Sequence, residues 1–327
     1  MRHFKISETE NQFKQLAEQV GGKVEDGVLF MPDDVGQGFL KSSVLVDGLI
    51  FQEADYNLFE DFYLERKVTE EAARSFFSLI YNFQAADLTD SPNQHNSHNL
   101  HNQVLFFNGH YSYNSFIPAY TLFKQIHFFI SFDKLMALCK YYDLPEEIIR
   151  FLDTDEQWCF KNPFSTEIQR VLHQLRSYQA DNLFTKGYRI NKAEELIMLT
   201  LEQILRDISN KKNDTNFIHE DDLQTIIEVE KILLESQDES IKIIDIANQL
   251  SIGIRKLQRL FKAYHGTDMT SYRKQVRMEQ ARQMIMQQNL SITEVCYKTG
   301  YTSVSHFSKI FKDHFGTSPS GLLKKTS

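Results

Sequence analysis

The chain has 327 residues, 42% hydrophobic and 24% charged, with a formal net charge of −8, a length that favours two domains and an apolar fraction that supports a core in each. No stretch approaches the roughly 18 apolar residues of a membrane helix, and the opening MRHFKISETENQFKQLAEQ lacks the apolar centre of a secretory leader. Cys139, Cys159 and Cys296 are odd in number and far apart, which argues against a disulfide framework and predicts a cytoplasmic protein.

Residues 20 to about 130 read as β-structure. Asp26-Gly27, Asp47-Gly48 and Asn108-Gly109 each stand between apolar runs, and such pairs tolerate the positive φ angles of hairpin turns. The runs KVEDGVLF, SVLVDGLIF and QVLFFNGHYSY have the β-branched and aromatic content of strands. Short strands joined by hairpins suggest a barrel or sandwich. The segment SPNQHNSHNLHNQ brings His95, His98 and His101 together, with His110 beyond. Neutral imidazoles can hold a metal. No Cys or acidic cluster accompanies these, so the segment reads as a polar loop without metal.

From about residue 131 the period becomes helical. SFDKLMALCKYY, PEEIIRFL and STEIQRVLHQLRSY are three helices, and RINKAEELIMLTLEQILRDIS is the strongest. In it Ile190, Ala193, Ile197, Leu201, Ile204 and Ile208 recur at steps of three and four, and Leu196 and Leu205 widen the stripe. So apolar a face must pack either on its own barrel or on the same helix of a second subunit. A homodimer is expected, with Ile197, Leu201 and Ile204 at its interface. Before residue 222 the chain also holds 22 of its 26 Phe, most of which read as core.

The run SNKKNDTNFIHEDD, residues 209–222, is polar and reads as a linker between a domain at 1–215 and another at 223–327. Charge divides there as well. From Leu223 onward 15 Lys and Arg oppose 10 Asp and Glu, leaving +5, so the rest carries −13. Positive charge in the second part suits phosphate contact, because neutralised phosphates release counterions.

The last 85 residues contain an internal repeat. IIDIANQLSIGIRKLQRLFKAYHGT, from Ile243, matches SITEVCYKTGYTSVSHFSKIFKDHFGT, from Ser291. Each unit reads as helix-turn-helix, at about 243–265 and 291–315. Ile246 and Ala247, or Val295 and Cys296, turn inward from the first helix. Leu257, Leu260 and Phe261, or Phe307, Ile310 and Phe311, do so from the second. Gly300 supplies a turn, Ser303 a helix cap, and Gly266 and Gly316 the helix ends. Between the units MTSYRKQVRMEQARQMIMQQ has no Pro or Gly, and a helix over 270–287 is expected. About 18 residues at 1.5 Å each make a rod of roughly 27 Å. Successive major-groove faces lie about 34 Å apart, so such a rod can serve two reading heads.

The pattern A-x-x-L, L-x-R-L-F-K, R-x-E-x-A, G-Y-T-S-x-S-x-F-S-K-I-F-K and F-G-x-S-P-S resembles the AraC/XylS DNA-binding domain over residues 223–327. Ser251 stands where that family often has Gly, Gly253 where a capping Ser is frequent, and Cys296 where Ala is usual. Gly321-Leu322-Leu323 replaces the common aromatic-Arg ending. The resemblance implies a transcription regulator, usually an activator, whose partners are double-stranded DNA, RNA polymerase and a small-molecule effector. Exposed Arg255, Gln258 and Arg259 in the first unit and Ser305, His306 and Lys309 in the second fall on the family's base-facing positions. Arg can bond guanine bidentately, and Gln adenine. Lys256, Lys262, Ser303 and Lys312 are the phosphate candidates.

Asn162-Pro-Phe-Ser165 and KAEELIMLTLEQIL, from Lys192, make the front part similar to the sensor region of the pyochelin-regulator group. That similarity implies a cupin-like barrel that binds a small effector, which in that group can be an iron-siderophore. The expected fold class is therefore α+β: a cupin-like β-barrel with trailing helices, then an all-α domain of two helix-turn-helix units joined by a long helix. The competing class is an AraC-type module attached to a DNA-repair or metal-dependent enzyme. Cys139 and Cys159 are too few for a four-Cys zinc site, and no nucleophile-base signature or phosphate loop is present. No enzyme activity and no cofactor are expected. A pure interaction adaptor is the third class, marked by the lack of salt-dependent DNA binding.

Overall fold

A computed structural model describes residues 2–7, 12–67, 75–83, 102–110, 113–117, 119–120, 122–178, 183–209, 220–235, 241–265, 267–287 and 290–326. The first part runs β1 (Arg2–Ser7), α1 (Gln12–Val20), β2 (Val24–Glu25), β3 (Val28–Phe30), β4 (Gly36–Val46), β5 (Leu49–Leu58) and β6 (Phe62–Lys67). It continues with β7 (Phe76–Phe83), β8 (Gln103–Asn108), β9 (Tyr113–Ile117) and β10 (Leu122–Ser131). Then follow α2 (Phe132–Tyr141), α3 (Glu146–Leu152), β11 (Cys159–Pro163), α4 (Thr166–Ser177) and α5 (Thr185–Ser209).

Eight strands form an antiparallel sheet in the order β11-β8-β7-β10-β5-β4-β3-β2, and β1-β6-β9 form a second sheet. The closed cupin-like barrel is not what the described strands build. β11 and β2 stand at opposite edges, and after β5 the chain leaves the large sheet to place β6 between β1 and β9. Two of the expected hairpins form. Asp26 and Gly27 turn β2 into β3 with φ of 47° and 75°, and Gly48, at φ 73°, turns β4 into β5. Asn108-Gly109 makes no hairpin, because β8 pairs with β7 and β11 while β9 crosses to β6.

Side chains alternate across the large sheet. Phe51 of β5, Phe77, Leu79 and Tyr81 of β7, and Ile126 and Phe128 of β10 share one face. α4 and α5 cover it with Ile168, Val171, Leu172, Leu196, Ile197, Leu201 and Ile204. Each fully buried aliphatic side chain of this size contributes about 1.5–3 kcal/mol. Ile197, Leu201 and Ile204 are 0%, 3% and 0% exposed. They are core, not the expected dimer contact: the apolar stripe of α5 is covered by the chain's own sheet. Tyr81 pins the helix by donating its hydroxyl to Leu196 O at 3.0 Å, with Thr200 Oγ1 at 2.8 Å. Burial holds that phenol well above its ordinary range. The other face carries a smaller core of Leu29, Leu40, Ala54, Leu58 and Phe62 under α1.

The second part holds α6 (Glu220–Glu235), α7 (Ile243–Gln249), α8 (Ile254–His265), α9 (Met269–Gln287), α10 (Ile292–Lys298), α11 (Val304–Phe315) and α12 (Pro319–Thr326). The expected linker at 209–222 thus runs into helix at both ends, and residues 210–219 lie outside the described ones. Asp222 belongs to the second part, since its carboxylate pairs with Lys256 at 3.0 Å. His95, His98 and His101 also lie outside the described residues. Among the described residues no helix is long and apolar enough to cross a membrane.

Candidate nucleic-acid interface

The two units repeat the same helix lengths, with one more residue in the second turn. α7 and α10 are each seven residues long, 49 apart, and α8 and α11 are each twelve long, 50 apart. Their turns share one backbone design. Ser251 N–H donates to Asn248 O at 3.1 Å and Ile252 N–H to Ala247 O at 3.0 Å. Gly300 N–H donates to Tyr297 O and Tyr301 N–H to Cys296 O, both at 3.0 Å. The residue in the left-handed position is Ser251 at φ 51° in the first unit and Gly300 at φ 81° in the second. Ala247 and Cys296, 3% and 0% exposed, are the small residues at the crossings.

The second unit is also better capped. Ser291 Oγ accepts from Glu294 N–H at 3.2 Å, and Glu294 Oε2 accepts from Ser291 N–H at 2.8 Å. These bonds satisfy two donors reciprocally, and the Ser291 hydroxyl, 2.7 Å from Glu294 Oε2, followed by the Ser291 N–H, holds the Glu294 carboxyl below its usual range. Ser303 Oγ accepts from His306 N–H at 3.3 Å, so the expected cap of α11 is formed. Gly316 closes that helix at φ 70°. Gly253 precedes α8 and offers no side chain. Gly266 lies outside the described residues.

Leu257 and Phe261 of α8 and Phe307 and Phe311 of α11 are all fully buried. The opposite faces are open. Arg255, Gln258 and Arg259 are exposed one turn apart on α8, and Ser305, His306 and Lys309 are exposed on α11. Lys256, Lys262, Ser303 and Lys312 are exposed beside them. Lys256 differs from the others because Asp222 already occupies its ammonium. Ser303 uses an oxygen lone pair for capping and keeps its hydroxyl hydrogen for an outside acceptor.

The two heads share one rod. α9 has 19 residues, about 28 Å at 1.5 Å each. Tyr272 and Val276 from its first half enter the first core with residues of α6, α7 and α8. Met278, Ala281, Met284 and Ile285 enter the second core with α10 and α11. Asp268 starts the rod. Its Oδ1 accepts from Thr270 and Ser271 N–H, both at 3.0 Å, and these bonds, Ser271's first, hold the carboxyl below its usual range. A buried cluster then fixes α6 to the end of α8. Glu230 Oε1 lies 2.9 Å from His265 Nε2 and accepts from Tyr272 Oη at 3.2 Å. Sequence reasoning missed α6 and the Asp268 cap. Both had a signal: Ile226, Val229 and Leu233 recur at helical spacing, and Asp268 directly precedes a helix-forming run.

Among the described residues no group of His, Cys, Asp and Glu is placed to hold a metal ion. Cys139, Cys159 and Cys296 are buried and form no disulfide, and burial pushes the Cys139 thiol up to about 11, which leaves little nucleophilic thiolate.

A family model described as "Helix-turn-helix domain" matches residues 246–325. The transcriptional activator NphR of a Rhodococcus species is 33% identical over 103 residues, 31% of this chain and 30% of that protein. The probable transcription factor PqrA of Proteus vulgaris is 35% identical over 89 residues, 26% of this chain and 73% of PqrA. A solved Chromobacterium violaceum transcriptional regulator, described as AraC-type in its DNA-binding domain, is 30% identical, covers 32% of this chain and 92% of its own, and has a TM-score of 0.28. The chain spans 25% and 30% of the length of the curated relatives GlxA and NphR. With two helix-turn-helix units on a shared helix and PqrA matched over most of its length, the chain belongs to the AraC-type family of transcription regulators.

Proposed function

We propose that the protein binds double-stranded DNA sequence-specifically, setting α8 and α11 into adjacent major-groove segments, and that it acts as an effector-responsive activator working with RNA polymerase. The observation that carries this reading is the exposed polar face of each second helix, opposite a fully buried aromatic, repeated on one rod. In this reading Arg255, Gln258 and Arg259 read bases for the first head and Ser305, His306 and Lys309 for the second. Lys262, Ser303 and Lys312 hold phosphates, and Lys256 joins them on releasing Asp222. Activation is supported by the name of the relative NphR, and residues 1–215 are assigned to sensing, as in the pyochelin-regulator group.

Arg259→Ala tests the assignment. It should weaken specific binding by about 1–3 kcal/mol and relax base preference in one half of the site. A selected-site binding assay in which both stay unchanged removes Arg259 from the reading face. Binding should also fall steeply with salt, by a slope of about −0.9 per neutralised phosphate. A chain without salt-dependent DNA binding is an adaptor instead.

A further inference from the structure

The sensor part contains a cavity of about 320 Å³ where the ends of α4 and α5 meet strands β5 and β10, a volume at the lower end of small-molecule sites. Phe51, Ile126 and Leu175 lie beneath it, almost wholly covered at 2%, 1% and 6% exposed. Its rim is cationic. Arg176, at the end of α4, and Arg189, near the start of α5, both line it with Tyr178.

The two guanidiniums differ from their neighbours. On the same helices Arg170 and Lys192 both pair with Glu195, and Arg206 pairs with Glu202. Arg176 and Arg189 enter no ion pair among the described residues. Each instead lies over an aromatic ring. Arg176 Cζ is 4.7 Å from the centre of Phe83 and Arg189 Cζ 5.6 Å from that of Phe51. A guanidinium over a ring still has N–H groups to offer other acceptors. Tyr178, stacked on Tyr188 with centroids 4.1 Å apart, adds a flat wall and a hydroxyl. Among the described residues Glu53 is the one carboxylate of the lining. Two guanidiniums against one carboxylate leave a single positive charge to be met.

We infer that this cavity is a binding site for a small monoanionic organic acid, its carboxylate held between Arg176 and Arg189 and its body set beside Tyr178. The inference rests on the effector-responsive reading and names the chemical class of the effector. It also gives that effector a mechanical role. Arg176 belongs to α4 and Arg189 to α5, so one carboxylate ties the two helices together. α5 continues from there to Ser209, the last of its 25 residues, on the way to the DNA-binding part.

Fluorine NMR on the full chain tests the site, with para-fluorobenzoate and a fluorinated octanoate as probes and para-fluorobenzamide as the neutral control. Saturable binding of at least one acid, with none of the amide, is expected. Arg176→Gln and Arg189→Gln should each weaken the acid about tenfold, the worth of a charge-assisted hydrogen bond. Arg189→Lys, which keeps the charge and loses the fork, should fall between. Glu53→Gln should tighten binding, and Lys186→Gln, outside the lining, should leave it unchanged. Absence of saturable binding by both acids overturns the inference, as does equal binding of the amide or indifference to both arginine substitutions. DNA affinity is read on the same samples. A chain that binds DNA with salt dependence but neither acid loses this site and keeps the regulator reading, whereas one that binds the acid but no DNA does the reverse.

Discussion

Ser251 and Gly300 occupy the same turn position, and their difference is a natural experiment in backbone strain. A non-glycine residue in the left-handed region costs about 1–2 kcal/mol, and Ser251 sits there at φ 51°. Ser251→Gly should therefore stabilise the chain by about 1 kcal/mol, seen as a higher denaturant midpoint at unchanged slope. Gly300→Ala should do the opposite. Its Cβ would meet the Arg277 guanidinium at 2.9 Å in addition to the strain of φ 81°. Equal stability of the two variants and the parent would show that the turns relax out of the left-handed region. This feature was legible in the sequence because the repeat aligns Ser251 with Gly300. The Lys256–Asp222 pair was not, since nothing local reveals that a residue of the expected linker returns to α8.

At the scale of elements, helices with strong local signals were read well, and pairing across distance was not. The stripe on α5 was visible residue by residue, yet a stripe does not say what covers it. The sheet does, so Leu201→Glu should bury an unpaired charge, cost several kcal/mol and give unfolded or insoluble protein. A folded monomer or dimer of that variant in sedimentation would put the stripe back at a surface. Asn108-Gly109 shows the same limit: the dipeptide predicts a turn, while the partner of the next strand is decided by β6, far away in sequence. The open edge of the sheet was hidden for the same reason. α9 was legible in length to within a residue. Gln280→Pro should break it, removing a backbone donor and clashing with the preceding turn for about 3 kcal/mol or more. Footprints should then shrink to one half-site. Full-site protection by that variant would mean that the heads are spaced by something other than the rod.

Across the whole molecule the large sheet grips the first head. Ile227 of α6 packs with Ile80, Phe107 and Cys159. Gln103 Nε2 donates to Tyr264 O at 3.2 Å, and Lys161 Nζ, buried, donates to the same carbonyl. That carbonyl lies in the last turn of α8. The second head meets the front part through Tyr120 and through Gln280, which donates to Ala119 O at 2.9 Å. Lys161→Met removes the donor and keeps an apolar stem. Hydrogen exchange should then quicken in α6 and at the end of α8 and stay unchanged in α10 and α11. A uniform change, or none, would show that the grip on Tyr264 does not hold the first head.

The shared rod also sets an angular relation. An α-helix turns about 100° per residue, and both cores grow from one uninterrupted helix, so the two reading faces are locked in rotational phase as well as in distance. A residue added to α9 would swing the second head by more than a quarter turn while lengthening the rod by only about 1.5 Å. DNA has its own phase, about 10–10.5 base pairs per turn. Such a chain measures torsion: a base pair inserted between half-sites rotates one away from its head, and either the duplex twists to follow or one head lets go.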